Sequence, residues 1–441
     1  MLRLHVVRAE GVGYYLTDLV PGRAEGSGVA GESPGEWSGR GSAALGLRGA
    51  VRAPDLAGVL DGRDPTGGPA LRQARGARPV SGFDLVFAAP KAVSLLHLLA
   101  PRELAAAAGS AHGAAVADAV GYLESAGLGV RRTRDGDVAR LATTGGVAAG
   151  FVHRTSRTLD PHLHTHLVVA NVAQGVDGRW SALDSRRLFL HRRATQAVYG
   201  ASLRHALGRS AGVAFERTPS GTWDAVGVDP VLCRLFSQRA ASIDEATFRT
   251  AGGVGSPGVR RVAYFADRPA KDRQVTVDEL RTGWARRAAS MGIDTAELVR
   301  VVGRAPPRGP ADRISGQDVV DGLDRLAATR TTLTTRDLVT VVADAAPHGL
   351  VGGEVMGVAG SLEAAARGDG RGRGRHEVGG TPAAFDRALR DDPTLVERAL
   401  AGRSMHPASR KGPSVDTLRR SGREVRDGSV AGSGLWTGLG R

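Results

Sequence analysis

The chain has 441 residues, 59 Lys+Arg against 45 Asp+Glu, a net charge of +14 and a pI near 11.0. That length allows more than one core, and the basic surplus favours a polyanionic partner such as nucleic acid over an acidic or neutral small molecule. A single cysteine, Cys233, excludes an internal disulfide, and no apolar run reaches 18 residues, so we expect a cytoplasmic protein without membrane insertion.

The arginine excess also fits a base-composition bias, since only three of the basic residues are lysines, Lys91, Lys271 and Lys411. None of the three follows a glycine, so the chain carries no Gly-Lys-Ser/Thr phosphate loop. Any nucleotide-driven motor must lie elsewhere.

In chain order, "GVGYYLTDL" places Tyr14 and Tyr15 at the start of a helix. "GFDLVFAAP" alternates as a strand and runs through Pro90 into the helix "KAVSLLHLLA". Phe83, Leu85 and Phe87 share one face of that strand, and Asp84 falls on the other. "RELAAAAGSAHGAAVADAVGYLESAG" is an alanine-rich helix closed by Gly127. "VRRTRDGDVARLATT" reads as a hairpin around Asp-Gly, and "GVAAGFVHRTS" and "LHTHLVVANVA" as two further strands. "DSRRLFLHRRATQAVYGASLRHALG" is a basic amphipathic helix, and "VDPVLCRLFSQRAASIDEAT" and "TVDELRTGWARRAASMG" are two more.

The pattern predicts an α+β unit over residues 1–300. Residues 301–441 read as a linker ("RAPPRGPADR"), a short helical segment with threonine caps ("TTLTTRDLVTVVADAAPHG") and a Gly/Arg-rich tail that lacks apolar periodicity. A largely disordered C-terminal extension is expected there.

The stretch "FVHRTSRTLDPHLHTHLVVAN" concentrates four of the twelve histidines. On a strand His162, His164 and His166 share a face, with neighbours about 6.6 Å apart. Two neighbouring imidazoles can then converge on one metal, whereas His162 and His166, about 13 Å apart, cannot. A hairpin turn at Asp160-Pro161 brings His153 opposite the 164–166 region. The expected metal ligands are therefore His153, His164 and His166, a neutral set that leaves a cation its full charge for work on phosphate. His162 is expected to face solvent or DNA. A tyrosine pair is ordinarily a packing feature, but beside a metal-bound phosphodiester a phenolate is a competent nucleophile.

Together "YYL", "GEWSGRGSAALGL", "FDLVFAAPKAVSLL", "FVHRTSRTLDPHLHTHLVVANV", "DGRWSALDSRRLFLHRRATQAVYGASLRHAL" and "KDRQVTVDELRTGWARRAASMG" resemble the TrwC/TraI-type (MobF) conjugative relaxases of the HUH endonuclease group. The likeness spans roughly residues 5–295. It implies a central antiparallel β-sheet flanked by helices, and site- and strand-specific nicking and strand transfer at an origin of transfer, through a covalent 5′-phosphotyrosine, to initiate conjugation. It also implies Tyr14 as nucleophile, with Tyr15 the alternative, Asp84 as partner of a ligand histidine, and a divalent ion at the three histidines. Mg²⁺ or Mn²⁺ is expected in use, and Zn²⁺ or Ni²⁺ could fill the site in a structure. The partners implied are single-stranded and hairpin origin DNA, a separate helicase, accessory DNA-binding proteins and a secretion coupling protein.

Lys91, in the first turn after Pro90, and Arg154 and Arg157, flanking the histidine hairpin, are candidate DNA-backbone contacts alongside His162. The chain departs from the family pattern in lacking a second tyrosine pair shortly after the first. Two other readings stay open. One is a non-cleaving origin-DNA-binding protein derived from a relaxase. The other is a small-molecule hydrolase or oxygenase that adds Asp160 as a carboxylate ligand.

Overall fold

The computed structural model describes residues 1–18, 34–73, 79–134, 136–238, 275–305, 314–367 and 380–401. Its centre is an antiparallel sheet in the order β1 (Leu2–Arg8), β3 (Val80–Ala88), β7 (Pro161–Gly175), β6 (Thr143–Thr155) and β2 (Glu36–Ser38). The short strand β8 (Trp180–Ser181) pairs with the far end of β7. The long hairpin β6–β7 is the spine, and the strand alternation expected from the sequence is what sorts its two faces.

On one face, odd-numbered β7 residues (Leu163, Leu167, Val169) join Phe83, Leu85 and Phe87 of β3 in the largest core. Helices α4 (Lys91–Leu99), α5 (Arg102–Tyr122) and α6 (Ser185–Ala211) cover this face. Burial of each such phenylalanine or leucine is worth about 1.5–3 kcal/mol. Gly212 ends α6 in a left-handed conformation (φ 62°), the stop that lets the chain turn away.

On the other face, even-numbered β7 residues (Val168, Ala170, Val172) meet Val147, Ala149 and Phe151 of β6 under α1 (Val12–Asp18) and α3 (Ala53–Leu60). That apolar floor stops at Phe151 and Val168. Beyond them the same face carries His153, His164 and His166.

The Asp-Gly hairpin forms as β4 (Val130–Arg134) and β5 (Asp137–Leu141), with Gly136 at positive φ (87°). Its residues are mostly exposed, and Arg131 and Arg140 lie directly opposite each other. Asp184 draws both guanidinium groups, at 4.0 and 3.4 Å, offsetting the repulsion of facing cations. The helix expected from residue 228 starts at Pro230 behind an Asp229 cap and runs to Leu235; its continuation past 238 lies outside the described residues. A helix over Val277–Ala289 opens with the reciprocal Thr276–Glu279 capping box.

The C-terminal extension is fuller than the short helical segment expected. Helices span Gly316–Ala327, Thr335–Ala345, Gly352–Arg367, Pro382–Asp391 and Leu395–Ala401. They share a core with Tyr122, Ala194, Val198 and Ala201 of α5 and α6. Arg204 of α6 is buried and donates to Ala343 O and Ala346 O, neutralising the carbonyl end of the second of these helices. Burial lowers its pKa to about 9. Gly349 (φ 70°) lets the following turn press on the α6 backbone at Ala201, where a Cβ would clash. The core of this region includes Leu323, Leu338, Leu362, Phe385 and Leu389, an apolar spacing that the sequence reading passed over. Residues 306–313 of the linker, 368–379 of the Gly/Arg tract and 402–441 of the tail lie outside the described residues.

Candidate metal centre and active site

The antiparallel register sets His153 directly opposite His164. The rings of His153, His164 and His166 then form a nearly equilateral triangle, with centroids 5.3, 5.2 and 5.2 Å apart. One nitrogen from each lies within 4.8 Å of the others, the only such group of three among the described residues. Small side-chain rotations would bring all three onto an ion at about 2.0–2.1 Å.

The remaining ring nitrogens show that the set suits a cation. His164 Nδ1–H donates to His162 O at 2.9 Å, and His166 Nδ1–H donates to the Asp84 carboxylate at 2.9 and 3.0 Å. Those bonds fix each ring's tautomer and leave Nε2 with its lone pair for a metal. Burial, reinforced by the neighbouring imidazoles, holds the His164 pKa well below its ordinary value, so the ring is neutral and able to ligate.

Asp84 lies on the face of β3 opposite Phe83, Leu85 and Phe87, as the alternation required, and is buried. It also accepts a hydrogen bond from the Tyr15 hydroxyl at 3.1 Å. A chain Tyr15–Asp84–His166 thus runs from α1 to the histidine triangle. Tyr15 is buried in the apolar floor, whereas Tyr14 is half-buried at its margin, with its ring edge-on to Tyr15 at 5.2 Å.

Three expectations are revised. Lys91 is not placed to hold a phosphate: its Nζ donates to Pro161 O and Phe236 O, both at 2.7 Å, tying α4 to the start of β7, and burial lowers its pKa. His162 does not simply face solvent. Its ring is half-buried and stacks on His164 at 4.6 Å, and burial with Lys91 nearby pushes its pKa down to about 3. Asp160 is not a fourth ligand. It accepts from Gln238 N and Nε2 at 2.8 and 2.6 Å and lies 3.9 Å from Arg287, which locks the β6–β7 turn. The strained Leu159 (φ 56°) in that turn is held by Trp284 Nε1 on its carbonyl. Arg154, at the end of β6, and Arg157, in the β6–β7 turn, are half-buried.

Sequence reasoning passed over a polar chain behind the site, Thr165–His112–Tyr199. His112 bridges the two hydroxyls at 2.8 Å each. A lone histidine in an alanine-rich helix gives no signal of such a role. It also passed over the arginines of the β4–β5 ribbon, whose two-stranded form and exposure suit a nucleic-acid groove or backbone. No helix among the described residues is long and apolar enough to cross a membrane.

The model of the TrwC relaxase family matches residues 5–291. The chain is 34% identical over 352 residues to the multifunctional conjugation protein TraI of Escherichia coli, covering 74% of this chain and 18% of that protein. For TraI of Escherichia coli strain K12 the figures are 33% over 306 residues, 67% and 16%. The chain therefore spans under a fifth of the length of these relatives. Among solved structures it resembles the conjugative relaxase TrwC in complex with oriT DNA, in metal-bound form (TM-score 0.60) and metal-free form (0.59), each at 30% identity over 67% of this chain and 100% of that one. The match to the family model over most of the described sheet and its flanking helices, with 30–34% identity to these relatives, shows that this chain belongs to the TrwC relaxase family.

Proposed function

We propose that the chain is an origin-specific DNA nickase, a relaxase that cuts one strand at an origin of transfer and keeps the 5′ end on a tyrosine. The observation that carries this reading is the histidine triangle tied through Asp84 to the tyrosine pair. TrwC relatives of the same fold are known bound to origin DNA with metal, with copper, and with a 27-mer comprising the recognition hairpin and the cleavage site. A divalent ion at His153, His164 and His166 would supply Lewis-acid stabilisation of charge on the scissile phosphate. We assign no ion; Mg²⁺ and Mn²⁺ are the first to test.

In this reading the chain's residues divide the work. Tyr14, at the margin of the apolar floor, is the nucleophile: its phenolic oxygen attacks phosphorus, the O3′–P bond breaks, and the DNA keeps a free 3′-OH. Tyr15 is held on Asp84 and sealed in the floor, so it orders the carboxylate rather than meeting DNA. Asp84 fixes the His166 tautomer. Arg154, Arg157 and the ribbon arginines Arg131 and Arg140 supply backbone contacts that position the strand. Cytoplasmic operation, with a helicase, accessory DNA-binding proteins and a coupling protein as partners, belongs to the same proposal.

A denaturing gel tests it: single-stranded origin oligonucleotide with Mg²⁺ or Mn²⁺ should yield a covalent protein–DNA adduct. The adduct should vanish in Tyr14→Phe and persist at reduced level in Tyr15→Phe. The reverse pattern would move the nucleophile to Tyr15. Origin binding with no adduct in any protein would favour the non-cleaving alternative.

A further inference from the structure

Thr165 lies between the ligands His164 and His166 on β7, with its side chain on the opposite face of the strand. Its neighbours on that face, Leu163 and Leu167, belong to the main core, and Thr165 is itself buried. A valine there would fill the same space, whereas a buried hydroxyl needs a partner with a fixed direction. That partner is His112 of α5, whose Nε2 lies 2.8 Å from Thr165 Oγ1, and whose Nδ1 lies 2.8 Å from the Tyr199 hydroxyl of α6. Tyr199 is packed in turn against Phe87 of β3, with ring centroids 5.5 Å apart.

Burial lowers the His112 pKa to about 3 and raises that of Tyr199, so the ring is neutral and the phenol keeps its proton. A neutral imidazole accepts at one nitrogen and donates at the other. One ring nitrogen therefore donates to a hydroxyl and the other accepts from one, so either tautomer satisfies both contacts. Two helices thereby grip the strand at one residue.

We propose that Tyr199, His112 and Thr165 form a positioning relay for the metal centre, which fixes β7 from behind at the residue between two ligands. Its physical content is rotational. Apolar packing alone leaves a strand some freedom to roll, and a small roll at 165 swings the His164 and His166 rings relative to His153. The two directed hydrogen bonds remove that freedom and hold the rings at the spacing one ion requires. The inference rests on the reading of the three histidines as a metal site.

The test uses the full chain and Co²⁺ alone as probe, with affinity by calorimetry, the visible absorption of the bound ion, and the melting temperature of the metal-free protein. Thr165→Val should weaken Co²⁺ binding about tenfold and change the absorption band, and Thr165→Ser should restore both. Tyr199→Phe, which removes one oxygen two hydrogen bonds from the strand, should shift affinity in the same direction by less. This variant carries the test if Thr165→Val does not fold. Wild-type affinity and absorption in the variants, whatever their melting temperature, would overturn the relay while leaving the metal site intact. Absence of Co²⁺ binding in the wild-type chain would instead overturn the metal reading, and the relay with it.

Discussion

Two tyrosine-headed chains of hydrogen bonds end on the same strand from opposite sides. Tyr15–Asp84–His166 reaches β7 from the face that carries the histidine triangle, and Tyr199–His112–Thr165 reaches it from the sealed core. The first contains a carboxylate and ends on the half-buried ring of His166. The second contains only neutral groups, all buried beneath α5 and α6. In the proposed function the same hydrogen-bonding pattern would serve chemistry on the face that carries a carboxylate, and geometry on the sealed one.

The largest effect that separates the two faces is expected at His164. His164→Ala removes a ligand from the triangle and should lower the nicking rate by on the order of a thousandfold, the several kcal/mol attributed to a Lewis acid. Binding of uncleaved oligonucleotide should change little, because phosphate contacts dominate affinity. Loss of binding and cleavage together would show that the ring is structural.

Asp84→Asn comes next. It preserves shape but no longer offers His166 a carboxylate, and should lower metal affinity and nicking by about 10–100-fold. An unchanged affinity would detach the first chain from the metal.

The sealed chain should show itself through pH. His112 has its pKa depressed to about 3 in the fold, against 6.5 ordinarily. Between those values the unfolded chain binds a proton that the folded one refuses, so stability falls as pH drops from about 6.5 toward 3. At pH 5 this costs about 2 kcal/mol relative to neutral pH. Urea unfolding at pH 7 and pH 5 should show that difference shrinking by the same amount in His112→Gln. An equal pH dependence in the variant would mean that the ring is protonated without penalty.

The smallest effect is expected on the β4–β5 ribbon. Arg131→Ala with Arg140→Ala should weaken oligonucleotide binding by roughly tenfold at physiological salt and reduce the salt slope by about 2, without altering the rate at saturating DNA. A lower rate at saturation would place the ribbon in the chemistry rather than in positioning.

The contrast between the faces also explains what the sequence made legible. His153, His164 and His166 could be found because strand alternation and a hairpin turn are short-range rules, and three imidazoles on one face at that spacing are rare. Asp84 could be assigned to the correct face for the same reason. Tyr15's contact with Asp84 could not be read, since it depends on how α1 lies across the sheet, 69 residues away in sequence. His112 and Thr165 were invisible because each alone is an unremarkable residue in an apolar context. Lys91 misled because a cation in a first helical turn looks like a phosphate ligand, and only tertiary structure reveals the two carbonyls that occupy it. The C-terminal helices were under-read for a different reason: their apolar residues, Leu323, Leu338, Leu362 and Phe385 among them, were passed over, and their tie to α6 through the buried Arg204 guanidinium is a tertiary contact.

The central claim is that the histidine face and the tyrosine pair form one nicking site. Its most direct test is mass spectrometry of the chain after incubation with Mn²⁺ and a single-stranded origin oligonucleotide, followed by proteolysis. The account predicts a nucleotide phosphate attached to the peptide containing Tyr14, dependent on metal and absent in His164→Ala. A modification that forms equally well in His164→Ala with the metal chelated, or that maps away from Tyr14 and Tyr15, would contradict it.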